Sequence, residues 1–144
     1  MFCIFCEIAA KRIPAHIVYE DELLIAFMDL TPITKGHVLV IPKAHAENIW
    51  ELAPAAAAAM LPAAQKIAAA LRISGLPCEG LNLQMANGAT AGQSVFHAHL
   101  HIIPRSHGDG FGLKFPAGYG READKEELAE TAALIRSNLN HTPA

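Results

Sequence analysis

The chain has 144 residues, of which 52% are apolar and 17% charged, and its formal net charge is −3. This composition fits one compact globular domain and excludes both a disordered chain and a broad basic footprint for nucleic acid. The longest apolar stretches fall short of the ~18 residues that a membrane span needs, so no membrane partner is expected.

Met1-Phe2-Cys3-Ile4-Phe5-Cys6-Glu7 lacks a basic leader and an apolar run of signal-peptide length. Three cysteines, two of them spaced Cys-x-x-Cys, argue against a disulfide framework and for a cytoplasmic location. Residues 3–10 read as a short helical turn closed by Pro14. Residues 16–20 and 23–28 read as two strands joined by the polar turn Glu20-Asp21-Glu22. Asp29 ends the second strand, and Thr31-Pro32 breaks the pattern. His37 to Ile41, opened by Gly36 and closed by Pro42, is the strand richest in β-branched residues.

Residues 47–52 read as a short helix. Residues 54–73 read as a long Ala-rich one, with Pro62 predicting a kink or break. Gly75 and Pro77 stop it. Residues 81–85 form a fourth strand, and residues 95–103 contain a fifth. Gly108 to Gly112 reads as a flexible loop, and residues 121–139 as a second helix with Leu128, Ala132 and Ile135 on one side. Short connections with one long helical crossover predict an α+β fold built on an antiparallel sheet.

His97-Ala98-His99-Leu100-His101 is the most informative stretch. On a strand the side-chain period is two, so the three imidazoles share one face, while Ala98, Leu100 and Ile102 face a core. Two chemistries are open: one metal held by His-x-His, giving a metal-dependent hydrolase, or nucleophilic catalysis by one imidazole. The preceding loop, Asn87 to Ser94, is small and glycine-containing. Its backbone amides, with Gln93 and Ser94, form a candidate phosphate cradle. His16, His107 and His141 carry no pattern and read as surface residues, and Cys78 reads as structural.

The run from Gly92 to Ile103 resembles the histidine triad (HIT) family, whose pattern is His-φ-His-φ-His-φ-φ with φ apolar. Further landmarks are Cys3-Ile4-Phe5-Cys6, Tyr19-Glu20-Asp21, Ala26 to Asp29, Lys35 to Lys43 and Pro104-Arg105. The resemblance implies a HIT domain over residues 3–110. The C-terminal extension, 111–144, is expected to pack its helix on that same domain. It further implies a five-stranded antiparallel sheet with a long central helix, and a homodimer whose sheets join edge to edge.

The activity it implies is a nucleotide hydrolase resembling the purine nucleoside phosphoramidases and working through a covalent nucleotidyl-histidine. The alternatives are a dinucleoside polyphosphate hydrolase and an AMP-binding regulatory protein with weak turnover. The extension lacks the Trp-bearing end of the Hint branch, while Pro104-Arg105 is shared with the Fhit branch. By the resemblance, His99 is the nucleophile, His101 and Ser94 contact the phosphate or assist the leaving group, and His97 completes the catalytic triad. Asp29 binds the ribose of an AMP-like purine nucleotide. Asn87, Gly92 and Gln93 lie along its phosphate, and His37 lies nearby. No cofactor is implied for catalysis. A structural zinc is implied at Cys3, Cys6, His45 and His97.

Overall fold

The computed structural model describes residues 1–139, so His141 lies outside the described residues. Residues Met1–Phe111 form one compact unit, and the chain from Gly112 onward forms another. The first unit holds α1 (Ile4–Ala9), β1 (Ile17–Glu20), β2 (Leu24–Met28), β3 (Val38–Pro42), α2 (Pro54–Ile73), β4 (Gly80–Gln84) and β5 (Leu100–Arg105), with a 3-10 turn at Ala89–Ala91 before β5. All sheet pairings are antiparallel, and the strand order is β1-β2-β3-β5-β4. This is the α+β, five-stranded antiparallel architecture that the sequence predicts.

The central strands are buried on both faces, and their period of two divides the core. Leu24, Ala26, Val38, Val40 and Ile102 pack under α2. Ile25, Phe27, Leu39 and Ile41 pack under α1 through Phe5 and Ile8. Along α2 the buried residues are Ala56, Met60, Ala63, Ala64, Ile67 and Leu71, a stripe of helical spacing. Pro62 does not break this helix. It lies on the exposed face, and so does Ala58 one turn earlier, so its ring disturbs none of the packing beneath α2.

Three local expectations are corrected. Residues 47–52 form turns rather than a helix, with the Asn48 carbonyl accepting from the amides of Glu51 and Leu52. Gly108–Gly112 is a pinned loop rather than a loose one. Asp109 accepts from the Arg105 guanidinium at 2.7 and 2.9 Å and from the amides of Ser106 and Phe111. The third concerns the histidine run: β5 begins at Leu100, so His97 and His99 precede the strand.

In the second unit, α3 (Lys125–Leu139) starts later than residue 121 because Asp124 caps it, accepting from the Glu127 amide. None of its described residues is buried. Among the described residues no helix is long and apolar enough to cross a membrane.

Candidate active site

The ladder between β3 and β5 stops at Val40↔Leu100. Continued in register, it would set Pro42 opposite Ala98. Pro42 has no amide to donate, and its carbonyl accepts from His97 Nε2 at 2.8 Å. Ala98 donates instead to the Ala46 carbonyl. The alternation of faces nevertheless survives outside the strand. Ala98 and Ile102 enter the core beneath α2, with Leu100 packed against it, whereas His97 and His99 both stand edge-on to Phe5 of α1.

A cavity of about 260 Å³ opens on the α1 side of the sheet. Its polar rim is Asp29, Thr31, Ser94, His99 and His101, and its walls include Ile4, Phe5, Ile8, Phe27 and Leu39. Hydrogen bonding fixes the tautomers within it. His99 is buried, and its Nδ1 lies 2.7 Å from the His97 carbonyl, which can only accept. Nδ1 therefore carries the proton, and Nε2 presents a lone pair.

His37 is buried beneath His101, immediately before β3, in a segment entered through Gly36. That glycine adopts φ +96, and a Cβ there would press on Leu71 and Pro104 at 3.2 Å. The Ile33 amide donates to His37 Nδ1 at 3.1 Å, so the His37 proton sits on Nε2, 2.9 Å from His101 Nδ1. His101 must accept there and hold its own proton on Nε2. One histidine thus offers a lone pair and the next a donor, with ring centroids 4.9 Å apart. Burial lowers the His101 pKa to about 4, and the neighbouring His99 and His37 add to the effect. Burial also lowers that of His37, against the opposing influence of Asp29. Both rings are therefore neutral at pH 7.

Asp29 accepts from the Thr31 amide and hydroxyl through Oδ1, while Oδ2 stands 3.6 Å from His37 Nε2. The remaining sequence-predicted residues lie outside this cavity. Gln93 is buried with both ends of its amide engaged. Nε2 donates to the Glu47 and Val95 carbonyls, and Oε1 accepts from the Gly88 amide. Asn87 Oδ1 accepts from the Ile49 amide at 2.7 Å. Gly92 closes the 3-10 turn in the left-handed region, at φ 93. These residues shape the loop, whereas Ser94 faces the cavity. The apolar walls were not singled out by the sequence reading, although Ile4 and Ile8 carry the i, i+4 signal of a shared helix face.

His97 belongs to a different cluster. Its Nε2 is committed to Pro42, so the Nδ1 lone pair turns towards Cys3 Sγ (3.4 Å), Cys6 Sγ (3.5 Å) and His45 Nδ1 (3.2 Å), and Cys6 Sγ is 3.3 Å from His45 Nδ1. A tetrahedral zinc with bonds of about 2.3 Å to sulfur and about 2.05 Å to nitrogen separates its ligands by about 3.6 Å (S···N) and about 3.3 Å (N···N). These four separations fit that spacing, and all four donor atoms lie within 4.8 Å of one another. Burial, aided by Cys3 and Glu7 and opposed by Arg12, pushes the Cys6 thiol up to about 11. The second group of convergent donors is Asp29, His37 and His101. Among the described residues no group joins all three triad histidines, which removes the reading of three histidines on one metal. His16 and His107 are exposed, and Cys78 packs part-buried against the α2 core.

The HIT domain family model matches residues 10–108. Protein hit of Bacillus subtilis is 54% identical over 138 residues, 95% of this chain and 94% of that protein. Adenylylsulfatase HINT3 of Arabidopsis thaliana is 38% identical over 74% of this chain and 54% of its own length. Among solved structures, a histidine triad nucleotide-binding protein from Candida albicans matches with a TM-score of 0.87 at 30% identity, covering 99% of this chain and all of that one. A Zn-bound histidine triad family protein from Mycobacterium smegmatis matches with a TM-score of 0.73 at 39% identity, covering 94% and 95%.

Proposed function

This chain belongs to the HIT family of nucleotide-binding proteins, hydrolases and transferases, and on that premise we propose that it hydrolyses purine nucleotides through a covalent nucleotidyl-His99. The observation that carries the reading is the 2.7 Å contact from His99 Nδ1 to the His97 carbonyl, which in the neutral ring puts the lone pair on Nε2.

The nucleoside base occupies the apolar slot between Ile4, Phe5 and Ile8 of α1 and Phe27 and Leu39 of the sheet. Asp29 accepts hydrogen bonds from the ribose hydroxyls. The α-phosphate then lies against His99, His101 and Ser94. His99 Nε2 attacks phosphorus, and the bond to the leaving group breaks with its electron pair going to that group, which takes up a proton from solvent. A water then attacks the adduct and gives a proton to solvent, the phosphorus–nitrogen bond breaks with its electron pair returning to His99 Nε2, and the nucleoside monophosphate leaves. The His101 Nε2–H and the Ser94 hydroxyl donate to the phosphoryl oxygens, where charge accumulates. His37 acts through His101 by holding its proton on the cavity side.

The substrate class is a nucleoside 5′-phosphoryl group joined to an amine. A dinucleoside polyphosphate is the second reading, and Pro104-Arg105 favours it. Parallel assays of an adenosine phosphoramidate and a dinucleoside polyphosphate decide between them. Faster release of AMP from the phosphoramidate supports the first, and failure to turn over either one contradicts the hydrolase. Turnover is expected to survive chelation at saturating substrate, because Cys3, Cys6, His45 and His97 lie outside the cavity lining.

Cys3, Cys6, His45 and His97 would hold a structural zinc, which supplies cross-links between α1, the segment after β3 and the segment before β5. The neighbour from M. smegmatis supports that assignment. A second copy pairing along the exposed edge strand β4 fits the homodimer, and light scattering at twice the chain mass is the expected result. The location inside the cell is taken as cytoplasmic, in keeping with its reduced cysteines.

A further inference from the structure

Helix α1 is six residues long and serves two sites. Its N-cap Cys3 and its Cys6 face His45 and His97, while Ile4, Phe5 and Ile8 wall the nucleotide cavity. Phe5 stands edge-on to His97 at 5.9 Å and to His99 at 5.2 Å, in contact with both sites at once. His99 is also tied to His97 by the Nδ1 contact to its carbonyl. A helix of this length has little stability of its own. Its position depends on the contacts of Phe5 and Ile8 with the sheet and on the Cys–His cluster.

We propose that metal at Cys3, Cys6, His45 and His97 and nucleotide in the cavity are positively coupled through α1, an inference that rests on the zinc and nucleotide assignments above. With the cluster closed on a zinc, α1 is fixed against the segments carrying His45 and His97, and the base slot exists before the nucleotide arrives. Without it, α1 keeps its apolar contacts and the weaker thiol–imidazole contacts of Cys3 and Cys6. The nucleotide must then order the helix as it binds, and its affinity falls by that cost. Linkage makes the effect reciprocal, so nucleotide raises zinc affinity by the same factor that zinc raises nucleotide affinity.

The test uses the full chain, stripped with a chelator and then reloaded with one equivalent of zinc. AMP affinity is measured by calorimetry on both forms, and zinc affinity by competition with a chromophoric chelator, with and without AMP. The expected result is about tenfold tighter AMP binding with zinc, and a matching tightening of zinc with AMP. Hydrogen exchange is expected to slow at the α1 amides on metal loading. His45→Asn provides the second arm, because His45 is an exposed cluster donor that does not line the cavity. Its AMP affinity is expected to match that of the metal-free protein even in the presence of zinc, with circular dichroism unchanged.

Equal AMP affinity in loaded and stripped protein overturns the coupling and leaves both assignments standing. So does wild-type AMP affinity in a His45→Asn protein that has lost zinc. AMP binding to neither form overturns it through the nucleotide assignment, and absence of zinc uptake overturns it through the metal assignment.

Discussion

Acidification from pH 7 to pH 5 is a direct probe of His101 at the cavity rim and of His37 buried beneath it. An unfolded imidazole takes up its proton near pH 6.5, whereas His101 in the folded protein resists until about pH 4. Between these values the unfolded chain binds the additional proton, so folding stability declines as the pH falls. Integrating the two titrations from pH 7 to pH 5 gives a loss of about 2 kcal/mol from His101 alone. His37 and His97, both also lowered by burial, add losses of the same sign.

The assay is urea unfolding at half-unit pH steps for the wild type and for His101→Gln, whose amide stays neutral and can still accept from His37. Any contribution from the Cys–His cluster is common to both proteins, so the difference between the two pH dependences isolates His101. A loss of about 2 kcal/mol corresponds to a midpoint shift of roughly 1 M urea. Parallel pH dependences in the two proteins would refute the burial argument.

Asp29→Asn keeps an oxygen for the Thr31 amide but loses the charged acceptor. We expect KM to rise roughly 10- to 100-fold for ribonucleotide substrates and to change little for a 2′,3′-dideoxy analogue. Ile102→Ala removes a fully buried side chain beneath α2, and urea denaturation should register a loss of about 2–5 kcal/mol. Cys6→Ser removes one cluster donor, and zinc content by elemental analysis is expected to fall from one per chain towards zero, with a lower Tm.

The central strands were legible because they are short apolar runs bounded by turn residues, Glu20-Asp21-Glu22 before β2 and Gly36 and Pro42 around β3. In the fold Leu24, Ala26, Val38 and Val40 face one way, while Ile25, Phe27, Leu39 and Ile41 face the other. The sharing of a face by the histidines was legible from their spacing of two. The start of β5 was not, because a strand needs a partner as well as a propensity. That partner ends at Pro42, which lacks an amide and whose carbonyl is occupied by His97.

The loop chemistry was only half legible. Asn, Gly, Gln and Ser promise donors to a phosphate, yet the Asn87 and Gln93 amides find backbone partners within the fold and leave Ser94 at the rim. Such commitments depend on segments 38 and 46 residues away in the chain. The tautomer chain from Ile33 through His37 to His101 was hidden for the same reason, since it depends on a turn and two strands meeting.

The nucleophile assignment is tested most directly by intact-protein mass spectrometry after a brief acid quench during turnover of an adenosine phosphoramidate. The account predicts a mass gain of one adenylyl group, carried by the peptide containing His99 and assigned to that residue by fragmentation. It also predicts that His99→Ala still binds AMP but forms no adduct and has no turnover. An adduct on another residue, or full turnover by His99→Ala, would contradict it.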